Sequence, residues 1–223
     1  MLTAKQEKLI KSLHRKKGRK ESGLCLVEGE KGIEAAGDYI DFAFTRENSE
    51  IFKDLVTTQT PQSIAAVARI PDFTLEQVQD SQNVLMLDGV QDPGNVGAIF
   101  RLCHAFNTTL ILVESVDPTN TKVIRSSSGS MFSVPWIAIS RAEAAAVLLK
   151  TTDRAIIRLE KREESEGLET VNSDERKMII AGSEGGGIQL NVKGASIAIG
   201  HEDDLESLNV THAIAIALHS FYK

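Results

Sequence analysis

The chain has only two cysteines, Cys25 and Cys103, in 223 residues. Each lies among apolar neighbours, so a disulfide framework is not expected, and reduced thiols in a cytoplasmic protein are. No His/Cys grouping has metal-ligand spacing, so no metal site is expected. No apolar run approaches the roughly 20 residues that a membrane helix requires. The Lys-rich opening lacks the apolar core of a secretory signal. Internal repeats and low-complexity stretches are missing too. What is present, 42% hydrophobic and 25% charged residues, suffices for the packed core of one large domain or two small ones.

The net charge of −6, taken as an average, argues against a polyanionic partner. The average hides an asymmetry. Residues 1–20 hold eight basic side chains (Lys5, Lys8, Lys11, Arg15, Lys16, Lys17, Arg19 and Lys20) against one acid, Glu7. Basic charge concentrated in one segment suits phosphate binding, because each neutralised phosphate releases counterions. A solvated basic helix explains the same charges equally well.

Apolar periodicity divides the chain in two. In the first half, Leu9, Ile10 and Leu13 among lysines predict a helix. Leu24–Val27 predicts a strand, Glu30–Ala36 a helix ended by Gly37, and Tyr39–Phe44 and Ser63–Ile70 two more strands. Residues 71–83 are polar and read as a linker or bridging helix. The second half alternates more clearly. Strands are expected at Val84–Asp88, Thr109–Val113, Ala155–Leu159, Lys177–Gly182 and Ser196–Gly200. Helices are expected from Asn95 to about Phe106, over Lys122–Ser128, Ala142–Thr151 and Val210–Phe221. Continuous apolar strands separated by helices predict a parallel sheet covered on both faces.

Ligands of such sheets bind beyond the C-terminal strand ends, and three loops there pair glycines with polar groups. In Asp92–Arg101, Pro93 and Gly94 make a turn, Asn95 can cap the helix, and Gly97 permits close backbone approach. Arg101 is expected near the helix start. In Gly182–Ile188, GSEGGGI, three successive glycines free the backbone to meet a ligand. That loop has neither the Lys and Ser/Thr of a phosphate-binding loop nor dinucleotide spacing. In Leu205–Val210, Ser207 or Asn209 can cap the last helix. Singly, each has a plain structural reading: a capped helix, a flexible turn, a cap.

Together, in this order, they resemble the SpoU (TrmH-like) RNA 2′-O-methyltransferases of the SPOUT superfamily. The family's N-x-G-x-x-x-R is matched by Asn95, Gly97 and Arg101. Its G-x-E-G-x-G is matched by Gly182, Glu184, Gly185 and Gly187, and its S-L-N-V by Ser207 to Val210. Val123–Trp136 also resembles the family's region between the first two motifs. The pattern departs where Ala198 replaces a usual proline and where the acidic loop His201–Glu206 is longer.

The resemblance implies an α/β fold with a trefoil-knotted, parallel-sheet methyltransferase domain over residues 84–223. It implies a small α/β substrate-binding domain over 1–72, for which Gly23–Ala36 carries the likeness, and a linker at 73–83. It further implies S-adenosylmethionine as cofactor, transfer of its methyl group to a ribose 2′-hydroxyl, and a homodimer. Ribosomal RNA is favoured as substrate over transfer RNA. Catalytic roles would fall to Arg101, Asn95, Glu184, Ser207 and Asn209. Cofactor contacts would fall to Gly182, Gly185, Ile197, Ile199 and Leu208, and RNA contacts to Arg15, Lys16, Lys17, Arg19 and Lys20. A guanidinium is a poor general base, so Arg101 would either lose its proton with the help of a bound phosphate or stabilise a developing alkoxide. A non-catalytic RNA-binding protein and a small-molecule methyltransferase are the competing classes.

Overall fold

The computed structural model describes every residue except Thr152, Ser173, Asp203 and Lys223. Asp203 belongs to the acidic loop singled out above, so that part of the loop lies outside the described residues.

Two sheets organise the chain. The first is antiparallel, with β3 (Ile64–Arg69) between β1 (Leu24–Glu28) and β2 (Ile40–Thr45). Helices α1 (Ala4–Leu13), α2 (Lys16–Ser22), α3 (Glu30–Ala36) and α4 (Phe52–Leu55) surround it. Side chains of a strand alternate between faces. Leu26, Val67, Ala65 and Phe44 therefore join Ile10, Leu13 and Leu55 in one core, whereas Cys25, Val27 and Ala68 turn the other way into the core of the second unit.

A short helix, α5 (Leu75–Gln79), follows the first sheet in the chain and packs on the second through the buried Val78. It is started by a Thr74/Gln77 capping box, which satisfies two first-turn N–H groups reciprocally.

The second sheet has seven strands. These are β4 (Asn83–Asp88), β5 (Thr108–Val113), β6 (Trp136–Ile139), β7 (Ala155–Leu159), β8 (Glu166–Gly167), β9 (Lys177–Gly182) and β10 (Ala195–Ala198). Their order is β6-β5-β4-β9-β7-β10-β8, and every paired neighbour is parallel. Crossovers include α6 (Pro93–Ala105), α7 (Thr121–Ser126) and α8 (Arg141–Lys150), and α9 (Val210–Phe221) closes the chain. Leu85, Leu87, Leu110 and Ile179 face α6 and α9. Val84, Met86, Ile111 and Ile180 face α5 and α8. Burial on both sides explains why these strands read as unbroken apolar runs.

The structure corrects four expectations. Asp92, not Asn95, caps α6, its side chain accepting from the Asn95 N–H at 2.8 Å. Pro93 then starts the helix, where its missing N–H costs nothing. Arg101 is consequently not near the helix start but is the ninth residue of α6. Strand β6 was not anticipated, because Val134 and Pro135 make its start look like loop. Finally, Ile199 lies beyond β10, which ends at Ala198.

Candidate active site

The three motif loops meet at the C-terminal edge of the large sheet. Asn95 is the third residue of α6, freed from capping by Asp92. Its Nδ2 donates to Glu184 Oε1 at 3.3 Å. Its Oδ1 accepts from Asn209 Nδ2 and from Thr211 Oγ1, each at 3.3 Å. Asn209 Nδ2 also donates to Glu184 Oε1, at 2.6 Å. Asn209 Oδ1 meanwhile accepts from the Thr211 N–H and caps α9. One side chain from each motif thus enters a single cluster, and Asn209 serves as cap and cluster member at once. Thr211 is a member that sequence reasoning missed; its one signal was its place two residues after Asn209.

The glycine loop holds its shape by bonds within itself. The Gly187 N–H donates to the Ser183 carbonyl at 2.8 Å, and the Gly186 N–H to Ser183 Oγ at 3.2 Å. A Cβ on Gly182 would lie 2.0 Å from the Gly187 carbonyl carbon, so no larger residue fits there. Gly185 has open space where a side chain would go.

Beside the cluster lies a small cavity of about 130 Å³. Leu159, Glu160, Ile197, Ile199, Ser207 and Leu208 are among the residues that line it. Four of the expected site residues, Ile197, Ile199, Ser207 and Leu208, therefore line the same cavity. Gly182 and Gly185 do not line it. Glu160 was not foreseen. It is held by Ser196 Oγ at 2.6 Å and by the guanidinium groups of Arg158 and Arg162 at 3.1 and 2.9 Å. Whole-ligand pockets usually span roughly 300–1,000 Å³, so this cavity suits one portion of a ligand, with Leu159, Ile197, Ile199 and Leu208 as apolar lining and Glu160, Lys161 and Glu206 as charged lining. A roomier cleft of about 620 Å³ between residues 71–79 and β6 holds none of the motif residues.

Arg101 stands apart. It is exposed and makes no hydrogen bond or ion pair with any described residue. It lies six positions after Asn95, which is about 9 Å along a helix axis and about 120° around it. Gly97 does permit a close approach, but to α7 rather than to a ligand: a Cβ there would meet Ser126 Oγ at 1.9 Å and the Ser127 nitrogen at 2.8 Å.

The basic segment also divides. Arg15, Lys16, Lys17 and Lys20 are exposed. Arg19 is not available to RNA as expected, being 4% exposed. Its guanidinium donates to Asp117 Oδ2 at 2.5 Å, Thr119 Oγ1 at 3.0 Å and the Leu13 carbonyl at 2.9 Å. Burial would raise the Asp117 carboxyl; hydrogen bonds from Thr119 and Arg19 outweigh it and hold that group below its usual range.

The model of the SpoU rRNA Methylase family matches residues 82–219. The chain belongs to this family. Among curated relatives, it is 28% identical to the 23S rRNA (guanosine(2553)-2′-O)-methyltransferase RlmP of Bacillus subtilis, over 97% of this chain and 96% of that one. It is 32% identical to the 23S rRNA (adenosine(1067)-2′-O)-methyltransferase of Streptomyces laurentii, over 77% of this chain and 64% of that one. In fold it is similar to the AdoMet-bound rRNA methyltransferase of Sinorhizobium meliloti, with a TM-score of 0.85 and 22% identity over 99% of this chain and 95% of that one. The fold similarity extends through the antiparallel unit. Among the described residues there is no grouping able to hold a metal ion and no helix long and apolar enough to cross a membrane.

Proposed function

We propose that this SpoU-family chain transfers a methyl group from S-adenosylmethionine to a ribose 2′-hydroxyl of ribosomal RNA. The observation that carries the reading is the cluster of Asn95, Glu184 and Asn209, one residue from each motif, beside a mainly apolar cavity lined by Ile197, Ile199 and Leu208. The ribosomal substrate follows the two curated relatives, both named for 23S rRNA.

S-adenosylmethionine supplies a methyl group already activated by its sulfonium charge, so the protein's work is positioning and proton handling. Ile197, Ile199 and Leu208 would seat the cofactor, with the backbone of Gly182 and Gly185 at the edge. Ser207, Asn209 and Asn95 would orient the 2′-hydroxyl, and Glu184 holds both asparagine amides in place. Such alignment is worth several kcal/mol in favourable cases. Arg101 is exposed and makes no hydrogen bond or ion pair with any described residue. Its part is to meet the RNA and stabilise charge growing on the ribose oxygen.

The antiparallel unit, residues 1–72, would dock RNA through Arg15, Lys16, Lys17 and Lys20. The chain would act in the cytoplasm, in keeping with two buried free thiols. A homodimer belongs to the proposal, but not through Ile214, Leu218 and Phe221, which are 0%, 1% and 3% exposed in the chain's own core. Sedimentation finding only monomer at assay concentration would remove it. The catalytic reading is tested by calorimetric titration with S-adenosylmethionine, then by mapping 2′-O-methyl groups across total RNA with and without this protein. Absence of cofactor binding, or an unchanged methylation map, defeats it.

A further inference from the structure

One ionic network crosses the C-terminal edge of the large sheet in strand order. Arg141 follows β6, Glu114 follows β5, Asp88 ends β4, and Gln189 and Leu190 follow β9. The Asp88 side chain is completely buried. Its two oxygens divide the work. Oδ1 faces Nε and Nη2 of Arg141, both at 3.1 Å. Oδ2 accepts from the backbone N–H groups of Gln189 at 2.6 Å and Leu190 at 2.8 Å. Arg141 in turn pairs through Nη1 with Glu114, whose Oε1 also accepts the Arg141 backbone N–H at 3.2 Å.

A buried carboxylate is unfavourable unless its charge is matched and its lone pairs are filled; here both conditions are met. The place it occupies gives it a use. The glycine loop leaves the sheet at Gly182, which lies opposite Asp88 in the β4–β9 register. It returns at Gln189 and Leu190, which Asp88 holds. Both ends of the loop are thus tied to one residue. The span between carries three successive glycines, which have more freedom to lose than any other residue type. A segment ordered beforehand binds its ligand with a smaller ordering cost.

We infer that Asp88, backed by Arg141, is a positioning pair that holds the glycine loop in its cofactor-binding form before the cofactor arrives. The inference rests on the S-adenosylmethionine reading for its ligand, but not for the clamp itself. Asn in place of Asp88 keeps the shape and loses the charge, and charge-assisted bonds to N–H groups are roughly twice as strong as neutral ones.

The test is Asp88→Asn and Arg141→Gln in the full chain, each followed by calorimetry with S-adenosylmethionine and amide hydrogen exchange. Asp88→Asn should weaken cofactor affinity about tenfold, and Arg141→Gln about threefold. The Gln189 and Leu190 amides should lose exchange protection while the interiors of β4 and β9 keep theirs, which general destabilisation would not produce. If Asp88→Asn does not fold, the partly exposed Arg141→Gln carries the test. Cofactor affinity within twofold of wild type, or unaltered protection at Gln189 and Leu190, in a folded variant overturns the inference. A wild-type chain that fails to bind S-adenosylmethionine would instead sink the methyltransferase reading, and exchange at those two amides would still decide the clamp.

Discussion

Asn209 Nδ2 lies 2.6 Å from Glu184 Oε1, while the same side chain's oxygen caps α9 through the Thr211 N–H at 2.9 Å. One residue therefore serves stability and site geometry through different atoms, and substitution can separate them. Asn209→Ala loses both: thermal unfolding should show a loss of about 1 kcal/mol for the missing cap, and methyl transfer should fall at least tenfold. Asn209→Asp keeps a capping oxygen but sets a second carboxylate against Glu184. It should keep the contribution of the cap, lose stability only by the salt-screened repulsion from the exposed Glu184, and still lose activity. Equal activity in Asn209→Asp and wild type would show that the amide donor has no part in the reaction.

Arg101 offers the opposite case, a residue with no hydrogen-bond or ion-pair partner to lose among the described residues. Arg101→Ala should leave the melting temperature and S-adenosylmethionine affinity unaltered while lowering kcat by roughly 10²–10³, the usual scale for removing one electrostatic stabiliser of a transition state. Arg101→Lys should recover only part of this, since a point charge does not reproduce the guanidinium fork. Wild-type turnover by the alanine variant would take Arg101 out of the mechanism.

The contrast between these two residues shows what was legible in the sequence. Periodicity located most elements, and α3, β7, β9 and α9 match to the residue, because their apolar runs and stops are local facts. Motif spacing brought Asn95, Glu184 and Asn209 into one site. It could not say which atoms meet, since that depends on Asp92 taking the cap and releasing Asn95. Nor could it show that Arg19, identical in type to its basic neighbours, would be drawn inward by Asp117, 98 positions away. Strand order is equally non-local: that β9 lies beside β4, and so brings the glycine loop to Asp88, is written in no single segment.

Gly97 should prove indispensable for packing rather than for chemistry. Its missing side chain lets α6 and α7 cross, and a Cβ would meet Ser126 Oγ and the Ser127 backbone nitrogen. Gly97→Ala should destabilise the chain by about 1–3 kcal/mol by urea unfolding, the range for overpacking. Adding Ser126→Ala should restore part but not all of it, because the backbone nitrogen stays. Stability equal to wild type in the single variant would mean that the helices separate freely there.

Asp117 should impose an acid limit on stability. Its folded-state carboxyl is held low, so its contribution is complete above the ordinary carboxylate range and fades as pH falls through the folded value. Urea unfolding from pH 7 to pH 3 should show stability declining toward acid, and Asp117→Asn should flatten part of that decline. Arg19→Met, which leaves the half-buried Asp117 carboxylate without its cation, should destabilise by about 2 kcal/mol at pH 7 and much less at pH 3. A decline identical in wild type and Asp117→Asn would show that other carboxylates set the limit.

The burial of Arg19 makes a distinction within the basic segment that RNA binding can read. Arg15, Lys16 and Lys20 are exposed and not held by any ion pair among the described residues, and Lys17 shares its charge with Glu21 at 3.7 Å. Replacing Arg15, Lys16 and Lys20 together by Gln should weaken RNA binding and leave folding and cofactor affinity intact. Each phosphate that is no longer neutralised should reduce the slope of log affinity against log salt by roughly 0.7–0.9, so removal of all three charges lowers it by about 2–3. Arg19→Met predicts the reverse pattern, with stability reduced and the salt slope of the folded protein preserved. If the triple variant keeps the wild-type slope, the RNA path runs elsewhere, and the segment's charge serves only to keep its helices in solvent.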